Sequence, residues 1–192
     1  MNTPNKLTVI RFIVSPVILL VMMLDIPYRF IISMVLFIFA SITDYFDGKI
    51  AREKGIVTDF GKFLDPIADK LVTQAAFFGF LALGIGKGIV WINFLIILRE
   101  FAITSMRLLA AKDGNVIAAN IWGKVKTVSQ MIAIPVAMFN TELICVFAKD
   151  YPHIVCPINV ATSIVLWIST ALTVFSGVYY LYENRKYINI KK

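Results

Sequence analysis

The stretch INVATSIVLWISTALTVFSGVYYLY, residues 158–182, contains no charged side chain. About 20 consecutive apolar residues are enough for an α-helix to cross the hydrocarbon core of a bilayer. The whole chain has a matching composition, since 59% of its 192 residues are hydrophobic and 16% are charged, with a mean hydropathy of +0.80. The apolar runs are continuous and do not alternate with polar residues, which disfavours a β-barrel. The sequence therefore predicts an all-α polytopic membrane protein.

Proline, glycine and charged residues divide the chain into six apolar segments. The predicted spans are 7–24, 30–52, 63–84, 89–111, 121–148 and 158–182. The connections are too short for a soluble domain, so we interpret residues 1–192 as one domain, a bundle of six transmembrane helices. Arg11 interrupts the first apolar run, and this segment is therefore expected to remain as a helix and not to be a cleaved signal.

Basic residues are concentrated on one side of this arrangement, and only Arg29, Lys87 and Lys149 lie on the other. Cytoplasmic loops are enriched in Lys and Arg, so both termini are expected in the cytoplasm. The net charge is +7. Because the basic residues flank helices and form no soluble face with aromatic residues, we expect attraction to anionic membrane lipids and no binding of nucleic acid.

The two cysteines, Cys145 and Cys156, lie near the external end of the predicted bundle. The sequence leaves open whether they form a disulfide, but it favours two free thiols packed as small hydrophobic side chains. His153 lies in the same external segment, so we predict no catalytic role for it.

Acidic residues are unusually dense in DYFDGKIAREKGIVTDFGKFLDPIAD, residues 44–69. Asp44 and Asp47 are three residues apart and share a face of the second helix. Asp65 and Asp69 are four apart and share a face of the third. A carboxylate near hydrocarbon costs about 2.5–3.5 kcal/mol on insertion scales, so the four need compensating cations. Helices joined by a short loop are antiparallel neighbours, and we expect the carboxylates to converge from facing surfaces around one or two divalent cations.

Small residues accompany the aspartates. Gly48 and Ala51 remove side-chain bulk and permit close approach to the backbone. Arg52 offers a planar donor fork that suits phosphate, and Gly61 permits a second close approach. The alternative is a set of helix-end charges paired with nearby Lys and Arg, which would explain any one aspartate but not the whole pattern.

The stretch matches D-x-x-D-G-x-x-A-R-x8-G-x-x-x-D-x-x-x-D at every fixed position, and it resembles the CDP-alcohol phosphotransferase family. The resemblance implies transfer of a phosphatidyl or similar group from a CDP-linked donor to an alcohol, with release of CMP. It also implies a divalent cation, Mg²⁺ or Mn²⁺, with two per site. The metal ligands that it implies are Asp44, Asp47, Asp65 and Asp69, and Asp69 is also the implied general base.

The same resemblance implies a site for the CDP-linked lipid. The residues implied for that site are Gly48, Ala51, Arg52, Gly61, Asn5 and Thr8. Arg11 is expected nearby. By analogy with bacterial family members, we expect a plasma-membrane enzyme whose active site faces the cytoplasm, and a homodimer is left open.

Three further stretches bear on the acceptor alcohol: PNKLTVIR at 4–11, REFAITSMR at 99–107 and GKVKT at 123–127. They resemble the family members that join CDP-diacylglycerol to sn-glycerol 3-phosphate. This acceptor is a dianion near neutral pH and needs several cations. The predicted residues for binding its phosphate are Arg99, Arg107, Lys124 and Lys126. The alternatives are an ion pair between Arg99 and Glu100 or another carboxylate, and anchoring of Lys124 and Lys126 at the membrane surface.

Other functions stay open at this point. Phosphatidylglycerol as acceptor, giving a cardiolipin synthase, is the closest competitor because it also carries phosphate, and an inositol-phosphate acceptor fits the charge equally well. Serine or choline-type acceptors would not require so many cations. An ion-coupled transporter would also place carboxylates in a membrane. It is disfavoured because the aspartates cluster at one membrane face and not at the midplane.

Overall fold

A computed structural model describes the backbone of residues 3–54, 59–112 and 120–185, and their side chains except those of 3, 4, 6, 45–54, 59–63 and 112. The described chain is helical and contains no strand. Its six long helices are α1 (Thr3–Met23), α2 (Arg29–Lys54), α3 (Asp59–Leu83), α4 (Ile89–Lys112), α5 (Ile121–Phe147) and α6 (Val155–Glu183). A short 3₁₀ helix, Pro152–Ile154, precedes α6. Each predicted span lies on one of these helices, with ends that differ by a few residues.

Four segments of the described chain are long and apolar enough to cross a membrane by length and composition. They are Leu64–Leu83, Ile89–Ala111, Ile121–Phe147 and Pro152–Glu183, and Leu7–Met23 forms a shorter apolar helix. Large apolar side chains such as Phe101, Leu108 and Ile121 are exposed on the outside of the bundle, where lipid would cover them. The fold is that of a polytopic all-α membrane protein. The count of six spans and the cytoplasmic placement of the termini stay predictions.

The helices end where the backbone needs unusual conformations or special caps. Gly86 and Gly88, in the turn between α3 and α4, have φ values of 91° and 73°. These values lie in the left-handed region, which favours glycine. Asn120 caps α5, since its Oδ1 accepts a hydrogen bond of 2.9 Å from the Gly123 amide. The amide of Phe30, at the start of α2, donates to Glu142 Oε2 at 3.0 Å.

Helix α1 packs against both α2 and α3, whereas α2 and α3 make little contact with each other in the described residues. Helix α5 packs on α2 and α6, and α4 packs on α6 and α3. The arrangement differs from the expectation that α2 and α3 would face each other directly. A short connection limits how far two helices can separate, but it does not prevent a third helix from packing against both.

The apolar core fills the end of the bundle where α1 ends and α2 begins. Ile18, Met22, Phe30, Phe77 and Phe80 are buried there, and the Phe77 and Phe80 rings meet edge to face at 6.2 Å. The buried polar and charged residues of α1 lie toward its other end. The fold therefore separates an apolar end, which supplies packing, from a polar end, which carries the aspartates.

Helices α5 and α6 are joined by side-chain hydrogen bonds along a buried polar line. Gln130 donates to Thr173 at 3.2 Å, and Asn140 donates to Thr162 at 3.1 Å. Such bonds between membrane helices are typically worth about 0.6–2 kcal/mol each. Cys145 and Cys156 are both free thiols, as favoured from the sequence, but both are exposed and are not packed in the core.

The predicted topology can be tested by cysteine labelling of intact cells. In a background with Cys145→Ala and Cys156→Ala, Lys87→Cys is expected to react with an impermeant maleimide, because the α3–α4 turn should be external. Glu183→Cys, at the end of α6, should react only after permeabilisation. The reverse pattern would indicate that the predicted orientation in the membrane is inverted. Equal labelling of both positions would indicate one span fewer than predicted.

Candidate active site

The buried side chain of Arg11 lies at the centre of the aspartate cluster. Its Nη1 donates to Asp44 Oδ1 on α2 and, at 2.6 Å, to Asp69 Oδ1 on α3. Its Nη2 lies 3.5 Å from Asp65 Oδ1. The Arg11 side chain is 1% exposed, whereas those of the three aspartates are 36–48% exposed. The cluster is thus closed by a guanidinium on its inner side and open on the side of the carboxylates.

Thr8 supports the same cluster from one turn earlier on α1. Its hydroxyl donates to Asp65 Oδ1 at 2.5 Å. Asn5, Thr8 and Arg11 are three residues apart and all are buried, so they form one face of α1. The Arg11 carbonyl accepts a hydrogen bond of 2.8 Å from Ser15. The structure therefore brings Thr8 and Arg11 against the predicted metal ligands.

Three of the four predicted carboxylates converge, and they do so around a residue of a third helix. Asp44 comes from α2, and Asp65 and Asp69 come from α3, while the group that contacts all three belongs to α1. These contacts join residues that are 33 to 58 positions apart in the chain. A local motif indicates which face of each helix the aspartates share, and it carries no information on which third helix meets them.

Five residues of the predicted site have described backbones, but their surroundings lie outside the described residues: Asp47, Gly48, Ala51, Arg52 and Gly61. Asp47 follows Asp44 by three positions on α2, so the helix places both on one face. The proposed roles of these five residues stay predictions.

The chemistry of the cluster fits a divalent cation. Carboxylate oxygens are the ligands that Mg²⁺ and Mn²⁺ prefer. Among the described side chains, no group of three His, Cys, Asp or Glu residues is already arranged around a metal position. The cation in contact with Asp44, Asp65 and Asp69 is instead the Arg11 guanidinium. The partly exposed carboxylates leave oxygens available for a further cation.

A second charged cluster is centred on Glu100 of α4. Glu100 Oε1 accepts hydrogen bonds from Arg99 at 2.9 Å and from Lys126 of α5 at 2.8 Å. Lys70 Nζ, from α3, lies 3.9 Å from Glu100 Oε2. Glu100 is 17% exposed, and Arg99 and Lys126 are 12% and 11% exposed. Three helices thus place their cations around one partly buried carboxylate.

Helix α6 fixes the position of Arg99. The second guanidinium nitrogen, Nη2, donates to Ser176 Oγ at 2.9 Å. A Cβ atom added to Gly177 would lie 2.7 Å from Arg99 Cγ, so the glycine provides the space for the arginine side chain. The sequence left an ion pair with Glu100 as the alternative to acceptor binding for Arg99, and the structure contains this ion pair.

The predicted acceptor residues do not all meet. Arg99 and Lys126 share Glu100, whereas Arg107 Nε donates to the Tyr180 hydroxyl at 3.1 Å and its guanidinium lies 5.6 Å from the centre of that ring. The Lys124 side chain is exposed. Sequence reasoning did not assign Lys70 to this group. The available signal was a basic residue directly after Asp69, inside an apolar helix.

Comparison with known proteins identifies the family of the chain. The family model for CDP-alcohol phosphatidyltransferase matches residues 1–175. A protein of Bacillus subtilis (strain 168), named CDP-diacylglycerol–glycerol-3-phosphate 3-phosphatidyltransferase, is 35% identical over 95% of this chain and 95% of its own length. A protein of the same name from Rickettsia bellii (strain RML369-C) is 34% identical over 97% of each chain. A probable phosphatidylglycerophosphate synthase of Mycobacterium tuberculosis (strain ATCC 25618 / H37Rv) is 34% identical over 94% of this chain and 80% of its own length.

The importance of Arg11 can be tested by thermal unfolding in detergent. Removing one partner of a buried ion pair costs about 3–5 kcal/mol, and less here because the carboxylates are partly exposed. We expect Arg11→Met to lower the Tm by on the order of 5 °C, and added Mg²⁺ to restore part of the loss by supplying another cation.

Lys149→Met is the matched control. Lys149 is an exposed cation beyond the far end of α5, and substitutions at such positions change stability by about 0.5 kcal/mol or less. A Tm change of equal size in both variants, or a loss in Arg11→Met on which Mg²⁺ has no effect, would contradict the central role of Arg11.

Proposed function

Because the chain belongs to the CDP-alcohol phosphatidyltransferase family, we propose that it transfers the phosphatidyl group of CDP-diacylglycerol to sn-glycerol 3-phosphate, forming phosphatidylglycerophosphate and CMP. The observation that carries the proposal is the similarity to relatives of that name over almost the whole chain. The two charged clusters agree with it, since one offers carboxylates for a metal and the other offers cations for a phosphate.

In the proposed reaction, a hydroxyl oxygen of the acceptor attacks the phosphorus of the phosphatidyl group. The new P–O bond forms as the bond between that phosphorus and the oxygen of CMP breaks, and CMP leaves with the electron pair. The proton of the hydroxyl passes to the Asp69 carboxylate. Transfer to phosphorus depends mostly on positioning and on neutralising charge.

The chain's own residues would do the positioning. Asp44, Asp47, Asp65 and Asp69 would hold the divalent cations, which supply Lewis-acid stabilisation of the phosphate oxygens when bound. Arg11 and Thr8 hold three of these carboxylates in place. Arg52 would bind a donor phosphate, with Gly48, Ala51, Gly61 and Asn5 beside the nucleotide.

The acceptor's phosphate needs cations that the aspartate cluster does not provide. In this proposal Arg99, Arg107, Lys124 and Lys126 bind it. The positive charge around Glu100 supports that role for Arg99 and Lys126. Phosphatidylglycerol, serine or an inositol phosphate would be the acceptor if the family member had another specificity. A transporter is disfavoured by the family, whose name describes group transfer.

The proposed setting is a bacterial plasma membrane. The chain would span the membrane six times, take its donor from the lipid phase and its acceptor from the cytoplasm, and lie among anionic lipids. A homodimer is compatible with the large exposed apolar surface of the bundle. Mg²⁺ or Mn²⁺ is the expected cofactor, with two ions per site.

The acceptor is tested with purified protein, CDP-diacylglycerol, Mg²⁺ and a panel of alcohols. We expect CMP release and phosphatidylglycerophosphate with sn-glycerol 3-phosphate, and neither with glycerol, serine or phosphatidylglycerol, which lack the phosphate monoester dianion. Mass spectrometry of the lipid identifies the product. Chelation should abolish turnover. A product formed from another acceptor would assign a different specificity. Full turnover after exhaustive chelation would contradict the proposed dependence on a metal.

The role of Asp69 is tested against that of Asp44. If Asp69 accepts the proton, Asp69→Asn is expected to lower kcat by about 10²-fold or more while CDP-diacylglycerol still binds. Asp44→Asn should weaken metal and donor binding together and should be rescued in part by more Mg²⁺. Near-normal kcat in Asp69→Asn would exclude it as the base.

A further inference from the structure

Helix α3 presents two different charges to two different neighbours. Asp69 contacts Arg11 of α1 at 2.6 Å, and the next residue, Lys70, contacts α4. Successive residues of an α-helix point in different directions. Asp69 of α3 therefore belongs to the aspartate cluster, and the adjacent residue, Lys70, belongs to the Glu100 cluster.

Lys70 is held in position but is less enclosed than the other cations of its cluster. Its Nζ donates to Thr104 Oγ1 at 2.6 Å, and it lies 3.9 Å from Glu100 Oε2, too far for a hydrogen bond. The Lys70 side chain is 40% exposed, compared with 11% for Lys126. An ammonium group has three donors, and the described contacts of Lys70 use one of them.

The net positive charge of the Glu100 cluster favours the binding of an anion. Lys70, Arg99 and Lys126 surround Glu100, which leaves a net charge of +2 on these four side chains. Arg99 Nε is buried and has no hydrogen-bond partner among the described residues. Uncompensated charge within a membrane bundle is costly, so a ligand of charge −2 would complement it.

We infer that Lys70 is a further acceptor-binding residue, which grips the phosphate of the acceptor beside Arg99 and Lys126. The inference rests on the proposed function and deepens it, because it assigns a residue that the sequence motif leaves without a role. Glu100 and Thr104 act as positioning residues, since they hold the cations and do not need to contact the acceptor.

The position of Lys70 also relates the acceptor's phosphate to the aspartate cluster. Asp69 and Lys70 are adjacent on α3, so the helix that carries the proposed base also carries a cation of the proposed phosphate site. An alcohol without phosphate would lose the contact with Lys70.

The test is Lys70→Met, which keeps most of the side-chain length and removes the charge. A charge-assisted contact to phosphate typically gives a change of about tenfold or more, so the KM for sn-glycerol 3-phosphate should rise by at least about tenfold. The KM for CDP-diacylglycerol and the kcat at saturating acceptor should stay within about twofold, because the donor site is intact. Lys70→Arg keeps the charge and should recover most of the acceptor affinity.

Direct binding gives a readout that does not depend on turnover. We expect sn-glycerol 3-phosphate to raise the Tm of the wild-type protein and to have little effect on Lys70→Met. Lys149→Met, a change of an exposed lysine beyond the far end of α5, is the matched control and should behave as wild type. If Lys70→Met does not fold, Thr104→Val removes the hydroxyl that holds the ammonium and should raise the acceptor KM about threefold.

The two possible failures are distinct. If the wild-type protein does not use sn-glycerol 3-phosphate, the proposed function fails. If the wild-type protein uses it and Lys70→Met retains the wild-type acceptor KM and Tm response, Lys70 only joins α3 to α4 and the inference is wrong. A loss of kcat with unchanged acceptor KM would also overturn it.

Discussion

The interaction on which the rest of the site depends is the contact of one buried guanidinium with three carboxylates. Arg11 joins α1 to α2 through Asp44 and to α3 through Asp65 and Asp69. Without a cation, carboxylates gathered near a membrane interior would repel one another and separate. A guanidinium has five donors in a planar fork, so it can serve several carboxylate oxygens at once. This contact holds the three helices together at the polar end of the bundle.

The bundle separates the tasks of stability and chemistry along its length. Aromatic and aliphatic side chains such as Phe77, Phe80 and Ile92 fill one end, and hydrogen bonds between α5 and α6 support the middle. The other end contains several charged side chains, each of which would be costly if it stood alone in apolar surroundings. These charges are grouped into two clusters, in which carboxylates and cations lie against one another. A membrane enzyme that handles a water-soluble acceptor and a lipid donor needs such a polar end at the interface.

Helix α3 connects the two charged clusters. Asp65 and Asp69 meet α1, while Lys70 meets α4 and so approaches Glu100, which also holds Arg99 and Lys126. Because Asp69 and Lys70 are neighbours on one continuous helix, the separation of their backbones is fixed. In the proposed reaction one cluster serves the donor's phosphates and the other serves the acceptor's, and α3 contributes a residue to each.

The sequence by itself determined the helices and the shared faces of the aspartates. Apolar runs interrupted by proline, glycine and charge mark the helices, and spacings of three and four place Asp65 beside Asp69 on one face. Only the tertiary structure decided that α1 packs against both α2 and α3, that Arg11 is the common partner, and that Arg107 turns to Tyr180 while Lys70 joins Glu100. The physical reason is range. Helix formation and facial periodicity depend on neighbours within a few residues, whereas the choice of partner depends on the packing of helices that are distant in the chain.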